Sequence, residues 1–215
     1  MPTEVEARFA ADGPLPLEAL TRAARLGPAV LGRPRTADET DRYLDTDDGA
    51  LATARWACRL RTRDGLTRIS LKGPPEAGDR DDWHHRRPEL EGPATEELDP
   101  SAWPPSSARD LLDRLRGGAP LRERLRLVQR RTERSVTLDG IPFGTLTCDQ
   151  VRVEREGSAA GDLHVVELEL HDEGGADARA ALETLAGALD FMPGLRPEPR
   201  TKLERALDLL GESRP

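Results

Sequence analysis

The chain has 215 residues, of which 36% are hydrophobic and 33% are charged, and its formal net charge is −8. This acidic balance argues against a general binder of nucleic acid or of anionic membranes, although it leaves room for a local basic pocket. The two cysteines, Cys58 and Cys148, have no zinc-ligand spacing, and no stretch approaches the ~20 apolar residues that a membrane span needs. We therefore expect a single cytoplasmic domain over residues 1–210, a tail over 211–215, and no membrane or nucleic-acid partner.

Hydrophobic periodicity and turn signals divide the chain into strands and helices. The predicted strands span residues 3–9, 41–46, 55–63, 67–72, 87–91, 125–138, 144–155 and 163–171. The predicted helices span residues 15–26, 107–116, 176–189 and 201–210. The Asp-Gly pairs at 64–65 and 139–140 indicate two hairpin turns. Because strands dominate the first and middle thirds of the chain, we expect an α+β fold rather than an α/β fold.

The predicted strands carry charge on one face and apolar side chains on the other. In the first strand, Glu4, Glu6 and Arg8 share a face, because residues two apart in a strand point the same way. The same spacing places together Arg59 with Arg61, Ser70 with Lys72, Arg87 with Glu89 and Glu91, and Glu167 with Glu169. An ordinary sheet with one solvated face would explain each strand taken singly.

Two features favour a closed barrel with these charges inside. Like-charge doublets on one face repel unless an opposite charge lies between them. Several amphipathic helices are available to cover the apolar faces. We therefore expect an eight-stranded antiparallel β-barrel with a charged lumen and with helices packed outside. Carboxylates in a lumen suit hard divalent cations, and arginine and lysine suit phosphate oxygens, so the pattern indicates a polyphosphate–metal site.

The first strand also carries a family signature. Glu4-Val5-Glu6-Ala7-Arg8 resembles the Glu-x-Glu-x-Lys motif of the CYTH domain, a family also called the triphosphate tunnel metalloenzymes. Further segments resemble those of the family in the same order: Tyr43-Leu44-Asp45-Thr46, Arg59-Leu60-Arg61, Ile69-Ser70-Leu71-Lys72-Gly73, Arg87-Pro88-Glu89-Leu90-Glu91, Leu146-Thr147-Cys148-Asp149, Val166-Glu167-Leu168-Glu169-Leu170 and Thr201-Lys202-Leu203-Glu204. The resemblance implies an eight-stranded triphosphate tunnel. Family members hydrolyse inorganic triphosphate, thiamine triphosphate or nucleoside triphosphates, and some are class IV adenylate cyclases.

The resemblance also implies roles for individual residues. The metal ligands would be Glu4, Glu6, Asp149, Glu167 and Glu169, with Glu89 and Glu91 in support. The phosphate oxygens would be bound by Arg8, Arg59, Arg61, Lys72, Arg87, Arg130, Arg134 and Lys202. The catalytic residues would be Arg8, Lys72 and Glu169, with Mg²⁺ or Mn²⁺ as the cofactor. We interpret Arg131 and the pair His84–His85 as surface residues.

We predict a metal-dependent phosphohydrolase that cleaves the terminal phosphate of inorganic triphosphate. Aromatic residues make up only 3% of the chain, and no aromatic cluster suits adenine or thiamine. The alternatives are a nucleoside or thiamine triphosphatase, a class IV adenylate cyclase, and a non-catalytic module that binds polyphosphate or a nucleotide. Arg8 stands where the family has lysine, and its bulkier planar group favours the non-catalytic alternative. A homodimer is left open.

Overall fold

The computed structural model describes residues 2–75, 84–171 and 176–212, and it leaves out the side chains of His84 and Ala176. The strands are β1 (Thr3–Ala11), β2 (Arg25–Leu26), β3 (Ala29–Leu31), β4 (Arg35–Thr46), β5 (Ala57–Arg63), β6 (Leu66–Lys72), β7 (His84–Ala94), β8 (Leu121–Leu138), β9 (Ile141–Arg155), β10 (Ser158–Leu170) and β11 (Leu195–Pro197). The helices are α1 (Pro14–Arg22), α2 (Ala50–Thr53), α3 (Ser107–Arg116), α4 (Ala176–Asp190) and α5 (Lys202–Leu209), with one 3₁₀ turn at Pro100–Ala102.

Eight antiparallel strands close into a barrel. Their order around the wall is β8–β4–β5–β6–β7–β1–β10–β9, and the pairing of β9 with β8 completes the circle. The short strands β2 and β3 extend from β8, and β11 pairs with β1. The expected α+β fold, an eight-stranded antiparallel barrel with helices packed against its wall, is therefore confirmed.

The outer face of the barrel is apolar and is covered by helices. One buried cluster joins Phe9 of β1 and Val166 of β10 to Leu20 of α1 and Leu185 of α4. A second cluster packs Leu60, Ile69 and Leu71, on β5 and β6, under α2 and α3. With the apolar faces outside, alternation along each strand turns the charged side chains into the lumen. No helix among the described residues is long and apolar enough to cross a membrane.

Helix α5 packs against the luminal face of the strands at one end of the barrel. Asp149 and Val151 share a strand face, as do Glu167 and Val165, so both valines point into the barrel. They form a third buried cluster in which Ala206 of α5 is fully buried. The charged part of the lumen is thereby separated from an apolar end that α5 fills.

Most predicted elements exist, and the main differences lie at their ends. The helix predicted over 15–26 ends at Arg22, because Arg25–Leu26 instead pairs with β3. Strand β4 begins at Arg35 rather than at Asp41, since its first half pairs with the long strand β8. Helix α3 spans the predicted residues 107–116.

Candidate active site

The lumen contains a cavity of about 1000 Å³ with charged walls. Among the described residues, seven cationic side chains line it: Arg8, Arg59, Arg61, Lys72, Arg87, Arg131 and Lys202. Five carboxylates of the described residues line it as well: Glu4, Glu89, Glu91, Glu167 and Glu169. They come from β1, β5, β6, β7, β8 and β10 and from the start of α5, so the cavity depends on closure of the barrel.

A first ion cluster joins β1, β6 and β7. Glu4 accepts hydrogen bonds from Lys72 Nζ and, at 2.9 Å, from Arg87 Nε. Lys72 Nζ also lies 3.4 Å from Glu89 Oε2. Burial alone would raise the pKa of Glu4, but Lys72 and Arg87 outweigh it and lower the pKa overall. Burial likewise disfavours the charge of Lys72, yet Glu4 and Glu89 raise its pKa, so the ammonium group stays protonated.

A second ion cluster joins β8, β9, β10 and α5. Arg131 donates two hydrogen bonds of 2.8 Å to Asp149, one to each oxygen. Lys202 Nζ donates to Asp149 at 2.5 Å and to Glu167 at 2.6 Å. Although burial opposes ionisation, Arg131 and Lys202 lower the pKa of Asp149, and Lys202, Arg8 and Arg131 lower that of Glu167.

The start of α5 places Lys202 in this cluster. Thr201 and Glu204 form a reciprocal capping box, in which Glu204 N donates to Thr201 Oγ1 at 3.1 Å and Thr201 N donates to Glu204 Oε2 at 2.7 Å. The cap fixes where the helix begins, and therefore which side chain of its first turn reaches Asp149.

Arg8 is held within the wall. Its side chain is 1% exposed, and it donates to Glu6, to Glu167 Oε1 at 3.3 Å and to the carbonyl of Arg200 at 3.1 Å. Arg8 thus bridges two of the predicted metal ligands. Burial raises the pKa of Glu6 despite Arg8, and the neighbouring Glu4 and Glu167 carboxylates add to the rise.

Glu169 differs from the other lumen carboxylates because its side chain has no hydrogen bond or ion pair to the described residues. Glu169 is exposed to solvent, and it lines the cavity. Burial and the carboxylates of Glu4 and Glu6 raise its pKa to about 7. It lies directly opposite Glu6 in the pairing of β1 with β10.

The carboxylates fit a divalent cation by their chemistry. Glu4, Glu6 and Glu169 are hard oxygen donors on adjacent strands, and burial together with neighbouring carboxylates raises the pKa values of Glu6 and Glu169. In the described part of the chain, however, no three His, Cys, Asp or Glu side chains already converge as a metal site. Binding a cation would therefore require Glu4 and Glu6 to exchange protein partners for the metal.

Glu89 and Glu91 take different positions in β7. Glu89 accepts a 2.5 Å hydrogen bond from Ser70 Oγ and lies 4.0 Å from Arg59 Nη2, inside the cavity. Glu91 lies at the rim, where it pairs with Arg68 at 3.5 Å and both side chains are about half exposed. The structure thus brings Glu89, but not Glu91, into contact with the cationic side chains of the lumen.

Two predicted phosphate ligands on β8 do not face the cavity. Arg130 and Arg134 share a strand face, but it is the outer face, so their predicted position in the lumen is wrong. Arg130 is exposed on the outer wall. Arg134 is 5% exposed and donates to backbone carbonyls at the end of α1 and beside β3, including Leu20 at 2.7 Å and Gly32 at 2.8 Å. Arg131 takes the luminal position, which corrects its interpretation as a surface residue.

Sequence reasoning missed the acidic residues of β4. Glu39 and Asp41 point into the barrel and contact Arg59, Arg61 and Arg131. The signal was the alternation of Glu39, Asp41 and Tyr43, but the strand was predicted to begin only at Asp41. A strand that long is explained by its pairing with β8, which the local pattern does not reveal.

Solved structures of similar fold support the architecture. HpAC1 from Hippeastrum, a candidate adenylyl cyclase described as having a dominant triphosphatase activity, is 18% identical, with 99% of this chain and 98% of that chain covered and a TM-score of 0.65. A candidate adenylate cyclase from Bacillus halodurans is 18% identical, with 95% and 98% covered and a TM-score of 0.58. The PH1819 protein of Pyrococcus horikoshii is 19% identical, with 94% and 98% covered and a TM-score of 0.54.

A comparison of the sequence with protein-family models identifies the family. The search of curated proteins finds no match. Residues 3–207 match the CYTH domain, which is nearly the whole chain. The chain therefore belongs to the CYTH domain family.

Proposed function

We propose that this protein is a tripolyphosphatase: a metal-dependent phosphohydrolase that cleaves the terminal phosphate of inorganic triphosphate. The observation that carries the proposal is the lumen itself, where seven cationic side chains of the described residues surround one cavity that carboxylates also line. Among the described residues that line it, only Tyr43 and His171 carry aromatic rings, which supports a substrate without a base. A cytoplasmic location stays a prediction from the sequence.

Arg59 is the side chain best prepared to bind a phosphate oxygen. Its nearest carboxylates, Asp41 and Glu89, lie at 3.5 and 4.0 Å, beyond a good hydrogen bond. Its buried Nε has no hydrogen-bond partner among the described residues. A buried donor of this kind costs free energy until an acceptor arrives, so a phosphate oxygen would gain both charge and a hydrogen bond.

Lys72 and Glu169 would carry the reaction. Because Lys72 stays protonated between Glu4 and Glu89, it can stabilise charge on the phosphate that leaves. The Glu169 side chain lines the cavity and has no hydrogen-bond partner among the described residues, so it can accept the proton of the attacking water. The water oxygen bonds to the terminal phosphorus as the bridging P–O bond breaks, which yields orthophosphate and pyrophosphate.

The proposed cofactor is Mg²⁺ or Mn²⁺, held by Glu4, Glu6 and Glu169 with Asp149 and Glu167 nearby. A bound divalent cation would neutralise phosphate charge and polarise the bond that breaks. Arg131 and Lys202 would have to release Asp149 before it joined the cation. Arg8, Arg131 and Lys202 would have to release Glu167.

The alternative reactions differ in their products. HpAC1 is described by both names, adenylyl cyclase and triphosphatase, so a nucleotide substrate is a specific second candidate. A cyclase would convert ATP into cyclic AMP and pyrophosphate, whereas a triphosphatase would release orthophosphate. A thiamine triphosphatase would act on thiamine triphosphate in preference to inorganic triphosphate.

The test is orthophosphate release from inorganic triphosphate, ATP and thiamine triphosphate, each with Mg²⁺ or Mn²⁺, with ATP products separated by chromatography. We expect metal-dependent release that is fastest from inorganic triphosphate. The variant Glu4→Gln/Glu6→Gln should lose it, because Glu4 lines the cavity and both carboxylates are proposed ligands of the metal. Glu123→Gln is the matched control, since Glu123 pairs with Arg42 and Arg126 away from the cavity.

Two outcomes would contradict the proposal. Faster turnover of ATP or thiamine triphosphate would replace the substrate. Tight binding of triphosphate without release from any substrate would favour a non-catalytic binding module, and Arg8→Lys would then show whether the arginine has removed activity.

A further inference from the structure

Behind the cationic wall of the cavity lies a buried acidic pair on β4, Glu39 and Asp41. Both side chains are 0% exposed, and neither lines the cavity. Burial of two carboxylates side by side is costly unless each is paired and hydrogen-bonded. Their partners include three cationic side chains of the cavity, Arg59, Arg61 and Arg131. Glu39 also accepts a 3.1 Å hydrogen bond from Arg63, which does not line the cavity.

Asp41 makes a bidentate contact with Arg61, which fixes the plane of the guanidinium group. Arg61 Nε donates to Oδ1 at 2.7 Å and Arg61 Nη2 donates to Oδ2 at 2.8 Å. Arg59 Nη1 lies 3.5 Å from the same Oδ2. Burial opposes ionisation of Asp41, but Arg59 and Arg61 lower its pKa far below the usual range, so the carboxylate stays charged.

Glu39 connects this pair to the next arginine. Its Oε2 lies 3.2 Å from Arg61 Nε and 3.7 Å from Arg131 Nε. Gln129, on β8, donates through Nε2 to Glu39 at 3.1 Å and to Asp41 at 3.0 Å, which holds the two carboxylates together. Arg131 is fixed on its other side by Asp149. The guanidinium groups of Arg61 and Arg131 therefore have little freedom to turn, and the charge of Asp41 attracts the guanidinium group of Arg59 at 3.5 Å.

This arrangement has two opposite effects on an anion in the cavity. The negative charges of the two carboxylates weaken the attraction that the arginines exert on the anion. They also hold the arginines in place before a ligand arrives, so binding does not have to restrict their rotamers. Arg61 lines the cavity, whereas Asp41 does not.

We propose that Asp41 and Glu39 are positioning residues, which hold Arg59, Arg61 and Arg131 as a preformed surface for the oxygens of a phosphate chain. The proposal rests on the proposed function, since it assigns the anion to the same cavity. It adds two residues of this chain that do not touch the substrate but decide the geometry with which it is bound.

The test compares Asp41→Asn with the wild-type protein by calorimetric titration of inorganic triphosphate and by turnover. We expect triphosphate to bind about tenfold more weakly, the order of effect of one charge-assisted hydrogen bond. In the Arg61→Gln background, Asp41→Asn should weaken binding less than it does in the wild type, because the bidentate contact of Asp41 is made with Arg61. Tighter binding by Asp41→Asn would overturn the proposal and show that the carboxylate only reduces the attraction.

Glu133→Gln is the matched control. Glu133 pairs with Arg63 at 2.6 Å at the edge of the same network, but neither side chain lines the cavity. We expect it to retain triphosphate affinity while losing some stability. If Asp41→Asn lowers only the unfolding midpoint and matches Glu133→Gln in affinity and in KM, the pair is structural and the proposal is wrong.

Two further measurements keep the test decisive. If Asp41→Asn does not fold, Glu39→Gln removes the more weakly bound carboxylate and should weaken triphosphate binding in the same direction. The Nε–H signals of Arg59 and Arg61 in ¹⁵N NMR spectra need no ligand, and Asp41→Asn should increase their exchange with water. If Asp41→Asn loses those signals but the wild-type protein binds no triphosphate, the proposed function alone is refuted. If the signals of Asp41→Asn are unchanged, the positioning role is refuted.

Discussion

The carboxylates of the lumen fall into two groups according to how fully the protein compensates their charge. Lys72 and Arg87 lower the pKa of Glu4, and Arg131 and Lys202 lower that of Asp149, in each case against the effect of burial. Glu6 and Glu169 have raised pKa values because burial and neighbouring carboxylates outweigh their cationic neighbours. The second group is where an added cation would relieve the most repulsion.

One residue gives a pH dependence of stability that can be tested apart from the carboxylates. His85, interpreted from the sequence as a surface residue, is partly buried in β7, and its Nε2 donates to the carbonyl of Glu198 at 3.0 Å. Burial, Arg8 and Arg87 lower its pKa to about 3. The folded protein therefore keeps His85 neutral, whereas the unfolded chain protonates it below its ordinary pKa of about 6.5.

We expect the free energy of unfolding to fall as the pH falls below about 6.5, because the unfolded state then binds a proton that the folded state does not. Between pH 7.5 and pH 5 the contribution of His85 is about 2 kcal/mol. His85→Gln keeps a donor for Glu198 and should remove this part of the loss. The measurement is urea unfolding of both proteins at the two pH values.

The titration of the carboxylates with raised pKa values does not affect this comparison. On acidification over the same pH range the folded protein takes up a proton at Glu169, which raises the free energy of unfolding, but this happens in both proteins and cancels in the difference. An equal loss of stability on acidification in His85→Gln and in the wild type would show that His85 is not the group responsible.

At the scale of elements, strand β8 shows what alternation determines and what it leaves open. The sequence correctly places Arg130 and Arg134 on one face and Arg131 on the other, because that grouping needs only the strand period. It does not say which face is luminal, since both faces of β8 carry arginine. Pairing decides it: Arg131 lies opposite Asp149 of β9, whose side chain faces the lumen.

Arg134 has become part of the support for α1 and β3. Besides Leu20 and Gly32, its guanidinium donates to the carbonyls of Thr21, Ala23 and Leu31. Arg134→Met would leave these carbonyls without their donor, so we expect the free energy of unfolding to fall by about 3 kcal/mol or more. Urea unfolding measures the loss, and triphosphate turnover of the folded variant should stay near that of the wild type.

Arg130→Met is the control for this prediction because Arg130 is exposed on the same strand. A change at such a position is expected to stay within about 0.5 kcal/mol. If Arg134→Met kept its stability but lost triphosphate affinity, the luminal role first predicted for Arg134 would be correct and the outer position wrong.

At the scale of the whole molecule, the charged strand faces were enough to predict the barrel and most of the cavity. Both Asp-Gly turns were also predicted, and the aspartate and glycine of each have the positive φ values of tight hairpins, as at Asp64 (50°) and Gly65 (74°). The positions of Glu39 and Gln129 could not be predicted, because they follow from contacts between strands distant in the sequence. The same holds for α5, whose periodicity predicts a helix but not the surface that it covers.

The position of α5 connects the apolar end of the barrel to the charged cavity, and this connection gives the last prediction. Ala206 is fully buried against the luminal face, and Lys202, one turn earlier, binds Asp149 and Glu167. Ala206→Leu should displace the helix, because extra methylenes in a packed core cost about 1–3 kcal/mol. We expect a lower unfolding midpoint together with weaker triphosphate binding, measured by thermal unfolding and calorimetry. Leu209→Ala, at a partly exposed position of the same helix, should change neither appreciably. A loss of stability in Ala206→Leu with unchanged triphosphate affinity would show that Lys202 keeps its place without the packing of α5.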